Sequence, residues 1–215
     1  MRNSPVLIIL AGGRSSRMGS PKGLLDYHGV PWILEQISRF KRVQNAKVYI
    51  GLGYDCERYV DVIPWFKKAM DEMHNYNGIG VRVVINNKPE NGAFSTLQKV
   101  LDSIDPHETI IVQPIDVPLL NEGSLLSLIN ETNTIVIPTC DGQNGHPVML
   151  MPDFWLPLTQ IDISSDKARL DRQISDINSS SITYLKVSDN AVYQNINTKS
   201  DWKKYIDLNL NHRSK

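Results

Sequence analysis

The chain of 215 residues carries 23 Lys and Arg against 23 Asp and Glu, so its formal net charge is zero, and 41% of its residues are hydrophobic. This composition is typical of a folded protein with a sizeable core, and it offers no basic field that would recruit nucleic acid. The apolar run at 6–10 is too short for a membrane helix or a signal peptide. Cys56 and Cys140 lack metal-type spacing and favour a reducing compartment. We expect a cytoplasmic protein that contacts neither a membrane nor nucleic acid.

Strands and helices are predicted to alternate along the first two thirds of the chain. The strands are predicted at 5–10, 46–53, 81–86, 109–116 and 133–139. The helices are predicted at 31–43, 56–73 with an interruption at Pro64, 93–104 and 121–131. The first strand is apolar throughout, which is typical of a strand buried on both faces. The alternation therefore predicts an α/β fold with three layers, in which helices cover both faces of an open, mostly parallel sheet.

The last third of the chain is less regular. Strands are predicted at 146–151 and 182–187, and a closing helix at 201–210. The sequence shows no internal repeat, low-complexity segment or linker-like stretch. We therefore predict a single domain over residues 1–215.

The loop after the first predicted strand reads LAGGRSSRMGSPK (10–22). Its glycine pair lets backbone N–H groups approach a ligand closely, and the basic side chains that follow add positive charge. In open parallel sheets this position is the favoured phosphate site. A Walker A loop is excluded, because five residues separate Gly13 from Gly19 and Lys22 is not followed by Ser or Thr. The dinucleotide pattern GxGxxG is absent as well. Glycines and basic residues alone fit a structural turn as well as a phosphate site.

The full spacing of this loop resembles the signature of the MobA-like nucleotidyltransferases, Leu-Ala-Ala/Gly-Gly-x-Ser-x-Arg-Met-Gly-x-x-Lys. The resemblance continues in order at IGLGYDCERY (50–59), ENGAFSTLQKVL (90–101), PIDVPLL (114–120), NGHPVML (144–150), SSDKARLDRQI (164–174) and NINTKSDW (195–202). The chain is identified as a member of this family, which is typified by the molybdenum cofactor guanylyl- and cytidylyltransferases. The resemblance implies the Rossmann-like fold of the nucleotide-diphospho-sugar transferases.

The resemblance also implies the reaction, in which an acceptor phosphate attacks the α-phosphorus of a nucleoside triphosphate and pyrophosphate leaves. Catalysis of this kind is mainly positioning and charge neutralisation. Arg17, Lys22 and Asp116 are the implied catalytic residues, and the two cations would neutralise the triphosphate. Arg14 is expected to be a solvated loop residue. The implied nucleotide-binding residues are Leu10, Ala11, Gly12, Gly13, Ser15, Lys22, Asn91, Gly92 and Asp116.

Magnesium is the implied cofactor, with Asp116 and Asn197 as its ligands. Asp116 follows an apolar strand, so its carboxylate should lie at the carboxyl end of that strand, although such a residue alone equally well caps a turn. Asn197, with Asn195 as a further candidate, would supply an amide oxygen, which Mg²⁺ accepts beside carboxylates, phosphates and water. The cytidylyl branch usually has Asp in this segment, so the ligand charge is lower here.

His146 and Arg169 are the implied acceptor-binding residues. His146 could equally orient its own loop through a hydrogen bond, and an acceptor phosphate, already anionic, needs no general base. The segment 164–169 is a weakened form of the family's Gly-Asp-x-Gly-Ala-Arg, because Ser-Asp replaces Gly-Asp. The charged run at 167–172 is equally well a solvated helix face.

The expected function is Mg²⁺-dependent transfer of a nucleoside monophosphate from CTP or GTP to a small phosphorylated acceptor, with the molybdopterin cofactor as the leading acceptor. LAGG at 10–13 resembles the guanylyl branch, whereas the segments 50–59 and 164–169 resemble the cytidylyl branch. Cytidylyl transfer to another alcohol phosphate is one alternative. A nucleotide-binding sensor or chaperone without turnover is another. A molybdoenzyme or its chaperone is a further expected partner.

Overall fold

The computed structural model describes residues 4–213, with side chains through residue 209. Its strands are β1 (Val6–Ala11), β2 (Asp26–Tyr27), β3 (Val30–Pro31), β4 (Lys47–Leu52), β5 (His74–Tyr76), β6 (Ile79–Ile85), β7 (Ile110–Pro114), β8 (Ile135–Cys140), β9 (Gln143–Asn144), β10 (Val148–Leu150) and β11 (Ile182–Lys186). Its α-helices are α1 (Trp32–Arg39), α2 (Cys56–Val62), α3 (Phe66–Asp71), α4 (Gly92–Leu101), α5 (Glu122–Asn130), α6 (Pro152–Trp155), α7 (Leu170–Ser175) and α8 (Lys199–Arg213).

The main sheet has the strand order β11-β8-β10-β7-β1-β4-β6-β5, and β9 pairs with β8. The central strand β1 pairs in parallel with β4 and β7, and the pairs β4–β6 and β8–β11 are parallel too. Strand β10 runs antiparallel between β7 and β8, and β5 runs antiparallel to β6 at one edge. The hairpin β2–β3 lies outside this sheet. The prediction of a mostly parallel sheet is therefore confirmed.

Both faces of the sheet are buried, which explains the unbroken apolar sequence of β1. Leu7 and Ile9 belong to a core cluster on one face, together with Trp32 of α1, whereas Ile8 belongs to the cluster on the other face with Leu97 of α4. Successive side chains of a strand point to opposite faces, so apolar residues at every position require cover on both sides. Full burial of one such aliphatic side chain stabilises the fold by about 1.5–3 kcal/mol. The three-layer prediction is confirmed.

The order of the strands leaves a crevice at one edge of the sheet. In the sheet, β4 and β6 lie on one side of β1 and β7 lies on its other side. The connection that leaves β1 therefore runs to one side of the sheet, and the connection that leaves β7 runs to the other. Ligands of open α/β sheets bind at such a reversal of strand order, outside the carboxyl ends of the strands. Because β10 is antiparallel, the residues that precede it reach the same edge. Residues 12–22, 115–119 and 144–147 therefore meet there.

The observed elements differ from the predicted ones in local details. The helix predicted at 31–43 ends at Arg39, and a succession of tight turns follows at 40–43. The strands β2, β3 and β5 are too short to give a periodic signal, and α6 is a single turn. The prediction of one domain over 1–215 stays a prediction. Across residues 4–213, no helix has the length and apolar character that a membrane crossing requires.

Candidate active site

The loop that follows β1 has a defined path. Ser15 adopts a left-handed backbone conformation with φ of 48°, and its carbonyl accepts the Met18 N–H at 2.9 Å. Met18 is only 2% exposed, so it anchors the loop in the core. Gly19 has a φ of 69°, a conformation that glycine adopts without steric cost. The loop therefore returns to the crevice while the Arg17 side chain stays exposed.

Lys22 begins a short 3-10 helix (Lys22–Leu24) that fixes its backbone. Its N–H donates to the Ser15 hydroxyl at 3.2 Å. The next N–H, that of Gly23, donates to the Tyr59 hydroxyl at 3.2 Å, and a Cβ at position 23 would lie only 2.7 Å from the same oxygen. Burial raises the pKa of the Tyr59 phenol above its usual value, so the hydroxyl stays neutral. Glycine at 23 permits the close contact that places Lys22.

Three segments meet at the Lys22 ammonium. Its Nζ donates to Asp116 Oδ2 at 3.0 Å and to Asn197 Oδ1 at 2.9 Å. The Arg17 guanidinium lies 3.5 Å from the same Asn197 oxygen. The side chains of Lys22 and Asp116 are 12% and 29% exposed, so solvent screens their ion pair only in part. Two cations against one carboxylate give the crevice a positive charge, which favours an anionic ligand.

Asn197 is held by the start of α8. The Asp201 carboxylate accepts the N–H groups of Asn197 at 3.0 Å and Thr198 at 2.8 Å, and the Asp201 N–H donates to the Thr198 hydroxyl at 3.1 Å. These reciprocal bonds form a capping box. They lower the pKa of Asp201, chiefly through the Thr198 side chain. The Ile196 N–H donates to the Asp116 carbonyl at 2.7 Å, which ties the start of α8 to the loop after β7.

Two adjoining cavities open at this edge of the sheet. The smaller one, of about 440 Å³, is lined by the loop after β1 together with Lys22, Asp116 and Asn197. The larger one, of about 940 Å³, is lined mostly by aliphatic side chains and also by His146 and Arg169. The residues that line both cavities are Leu10, Gly92, Ala93 and Pro114. Because the cavities share this wall, molecules bound in them would lie side by side.

His146 lines the larger cavity, and its imidazole ring is largely buried. Its backbone N–H donates to the Val192 carbonyl at 3.0 Å, which orients the residue. Its ring atom Nδ1 is buried and has no hydrogen-bond partner among the described residues. Burial lowers the pKa of the imidazole, against opposing effects of Asp116 and the Val112 backbone. Burial therefore favours the neutral form of the imidazole.

Arg169 lines the larger cavity from the residue that precedes α7. Its guanidinium donates to both carboxylate oxygens of Asp171, at 3.0 and 2.8 Å. The pair raises the pKa of Arg169 and lowers that of Asp171. Both side chains are more than half exposed, so the ion pair contributes little to stability. The guanidinium can therefore exchange this partner for an anionic ligand at low cost.

Residues 7–177 match the family model described as the MobA-like NTP transferase domain. The chain belongs to this family. A molybdenum cofactor guanylyltransferase from Xanthomonas euvesicatoria pv. vesicatoria (strain 85-10) is 27% identical over 214 residues, which cover 94% of each chain.

Two solved structures resemble this MobA-like NTP transferase over nearly its whole length. The rv0371c homolog from Mycobacterium sp. strain JC1 has a TM-score of 0.72 and 20% identity, over 97% of this chain and 98% of that chain. Rv0371c from Mycobacterium tuberculosis H37Rv in complex with manganese has a TM-score of 0.66 and 18% identity, over 95% and 99%. The predicted fold, that of the Rossmann-like nucleotide-diphospho-sugar transferases, is confirmed. The family assignment makes the chain a nucleotidyltransferase, as the sequence predicts.

The residues predicted for the site of this MobA-like NTP transferase divide between the two cavities. The smaller cavity is lined by Leu10, Gly12, Gly13, Ser15, Arg17, Lys22, Gly92, Asp116 and Asn197. The larger cavity is lined by Leu10, Asn91, Gly92, His146 and Arg169. The residues predicted for the acceptor thus line only the larger cavity. Most of those predicted for the nucleotide line the smaller one, but Leu10 and Gly92 line both cavities and Asn91 lines only the larger one.

Two predicted site residues, Ala11 and Asn195, lie elsewhere than the sequence suggests. Ala11 ends β1 in the core, is 3% exposed and lies outside the lining of both cavities. Asn195 is exposed and its amide donates to the Tyr193 carbonyl at 3.2 Å, away from Lys22. Arg14 is exposed as expected, but its guanidinium also lies 4.6 Å from the centre of the Tyr54 ring. Strand pleating, which the loop motif does not reveal, buries Ala11 while Leu10 reaches the cavities.

Thr96 is a wall residue of the smaller cavity that the sequence analysis missed. Its hydroxyl accepts from the Asn86 amide at 3.0 Å, and a Cβ at Gly12 would lie 2.8 Å from that hydroxyl. A Cβ at Gly13, in contrast, would have nothing within 4 Å. Packing thus requires glycine at 12, whereas 13 faces open space. The signal was available, because Thr96 follows Gly92 by one helical turn on the same face of α4.

Proposed function

We propose that this MobA-like NTP transferase transfers GMP from GTP to the molybdopterin cofactor in a Mg²⁺-dependent reaction. The acceptor phosphate oxygen would form a bond to the α-phosphorus, the bond from that phosphorus to the bridging oxygen would break, and pyrophosphate would leave. The observation that carries the proposal is the meeting of Lys22, Asp116 and Asn197 in a cationic cavity beside a larger, apolar one. The name of the relative that covers 94% of this chain supports both substrates.

The smaller cavity suits the nucleotide. Gly13 leaves open space over the loop backbone, and Leu10 reaches the same cavity, so peptide groups of residues 10–13 can approach the base and ribose. Lys22 and Arg17 supply positive charge for the triphosphate and for the charge that develops at the α-phosphorus. Ser15 holds the Lys22 backbone, and Gly92 at the start of α4 lies across the cavity. Positioning and charge neutralisation are what this reaction requires.

Asp116 and Asn197 fit the requirements of a divalent metal ion. Their oxygens lie 3.0 and 2.9 Å from one ammonium nitrogen, so the two groups already converge on a single cation. One carboxylate and one amide oxygen, completed by substrate phosphates and water, suit Mg²⁺. The bound ion would neutralise phosphate charge and orient the triphosphate. The manganese complex of Rv0371c is consistent with a divalent cation in this fold.

The larger cavity suits an acceptor with an extended ring system and a phosphate. Its walls are mainly aliphatic, and its volume of about 940 Å³ is at the upper end of small-molecule sites. His146 would form part of the wall against the acceptor, and Arg169 would leave Asp171 to bind an anionic group. The shared wall at Leu10 and Pro114 would bring the acceptor phosphate next to the nucleotide.

A pyrophosphate-release assay tests the proposal. Purified protein is incubated with molybdopterin cofactor and Mg²⁺, with GTP or CTP in parallel, and with Lys22→Ala protein as a control. The proposal requires release that depends on acceptor, metal and Lys22, and that is faster with GTP. Faster release with CTP would overturn the choice of nucleotide and leave the reaction type intact. Release with an alcohol phosphate but not with molybdopterin would overturn the acceptor.

A further inference from the structure

Trp32 is a buried residue that contacts both segments of the proposed metal pair. It is the first residue of α1 and is 1% exposed. Its indole N–H donates to the Ile115 carbonyl at 2.9 Å, directly before Asp116. The hydrogen bond joins the side chain of one element to the backbone that carries the proposed ligand.

Trp32 also contacts α8, in addition to Tyr27 and Arg39. Its ring lies 5.3 Å from the ring of Trp202 and 5.3 Å from that of Tyr205, both in edge-to-face geometry. Aromatic pairs of this geometry add stabilisation beyond that of their buried area. Trp202 lies one residue after Asp201, whose carboxylate fixes the backbone of Asn197. One side chain thus contacts the loop that carries Asp116 and the helix whose capping box places Asn197.

We propose that Trp32 is a positioning residue, which sets the separation of the Asp116 and Asn197 oxygens by holding Ile115 on one side and α8 on the other. The inference rests on the proposed function, because it takes these two oxygens as the metal pair. Trp32 does not reach the substrates itself, and it acts through the backbone of Ile115 and the ring of Trp202. Loss of its indole N–H should therefore weaken metal-assisted nucleotide binding more than it weakens the fold.

Trp155 provides a matched control. It is also 1% exposed, and its indole N–H donates to the Glu108 carbonyl at 2.9 Å. Glu108 precedes β7, so this bond lies at the end of the strand opposite to Asp116. Replacing either tryptophan by Phe removes a buried indole N–H and leaves a carbonyl without that donor. The two variants should lose similar stability, and they differ in their distance from the site.

The experiment measures GTP binding by calorimetry, with Mn²⁺ present and with metal removed by chelation, for wild type, Trp32→Phe and Trp155→Phe. The ratio of the GTP affinity with Mn²⁺ to the GTP affinity without metal reports how well the Asp116 and Asn197 oxygens are placed. We expect Trp32→Phe to lower this ratio by about tenfold, which is at the lower end of the loss seen when residues that support metal ligands are replaced. Trp155→Phe should leave the ratio unchanged. Equal ratios in the two variants, beside a metal-dependent wild type, would overturn the role of Trp32 while the proposed function stands.

A second pair of variants covers the case in which Trp32→Phe does not fold. Trp202→Leu removes the partner ring on α8, and Trp202 is only half-buried. Trp65→Leu is its control, since Trp65 is also half-buried and stacks on His74 at the β5 edge of the sheet. We expect the metal-dependent ratio to fall only in Trp202→Leu, and equal ratios would overturn the proposal. A wild-type protein whose GTP affinity ignores Mn²⁺ would instead overturn the metal pair of the proposed function.

Discussion

Replacement of Lys22 by alanine should separate catalysis from stability. The ammonium bridges Asp116 and Asn197 at 3.0 and 2.9 Å, and the two ionic side chains are 12% and 29% exposed. The pair is largely shielded from solvent, so loss of the ammonium should cost about 1–3 kcal/mol of stability. For a chain of this size each 1 kcal/mol shifts Tm by about 2–4 °C. A cation aimed at developing phosphate charge contributes more, and its loss typically lowers kcat about 10²- to 10³-fold.

The assay combines scanning calorimetry with the rate of pyrophosphate release from GTP in the presence of Mg²⁺ and molybdopterin. Lys22→Arg keeps the positive charge but replaces the compact ammonium by the larger, planar guanidinium, so we expect partial activity. Lys99→Ala serves as the control, because Lys99 is exposed on α4 and its pair with Asp102 is 3.6 Å long. Full activity in Lys22→Ala, or a loss of activity that simply follows a large fall in Tm, would refute the reasoning.

Three further predictions concern the same crevice. Asp116→Asn should raise the Mg²⁺ concentration needed for half-maximal rate at near-normal Tm, and a large fall in Tm with an unchanged metal requirement would show a structural role instead. Asp201→Ala removes the carboxylate half of the capping box and should lower Tm. Because the folded pKa of Asp201 is lowered, this contribution is present above the ordinary pKa of 3.8 and is lost as pH falls through the folded value, so the variant should show a flatter acid limb in a Tm–pH series. The methyl group of Gly13→Ala would meet no atom of the described residues within 4 Å, and by narrowing the space for a purine it should shift the ratio of kcat/KM for GTP and CTP toward CTP by about tenfold. Gly12→Ala meets the Thr96 hydroxyl at 2.8 Å and should cost about 1–3 kcal/mol of stability, as seen in its Tm. An unchanged ratio in Gly13→Ala would mean that the loop does not set base choice.

Local patterns account for the part of the fold that the sequence predicts. The apolar run of β1 requires a covered parallel sheet, and the glycine-rich loop after it must lie at the carboxyl edge. The same reasoning places Asp116 at the end of β7, because a polar residue that follows a buried strand emerges where the strand ends. The sequence does not predict that β10 runs antiparallel to β7, because a strand of three residues has no pattern that indicates its direction.

The contacts that build the site are mostly long-range, and the sequence does not specify them. Lys22 and Asn197 are 175 positions apart, and they meet where the start of α8 lies against the loop after β7. The two glycines of the loop look alike in sequence, yet packing against Thr96 explains Gly12, whereas a Cβ at Gly13 would meet no atom within 4 Å in the described part of the chain. Only at Gly13, therefore, would an added methyl group narrow the space for a purine base without disturbing the packing. The capping box, Thr198 with Asp201, was readable from its spacing, whereas its effect on Asn197 required the structure.

The most direct test of the account follows the two ends of the triphosphate. The protein is given molybdopterin cofactor and Mg²⁺ with GTP labelled at either the α- or the γ-phosphorus, and the label is located after separation of the products. Nucleotidyl transfer predicts that the α-label appears on the acceptor and the γ-label in pyrophosphate. Transfer of the γ-label to the acceptor, or release of inorganic phosphate without an acceptor product, would contradict the central claim.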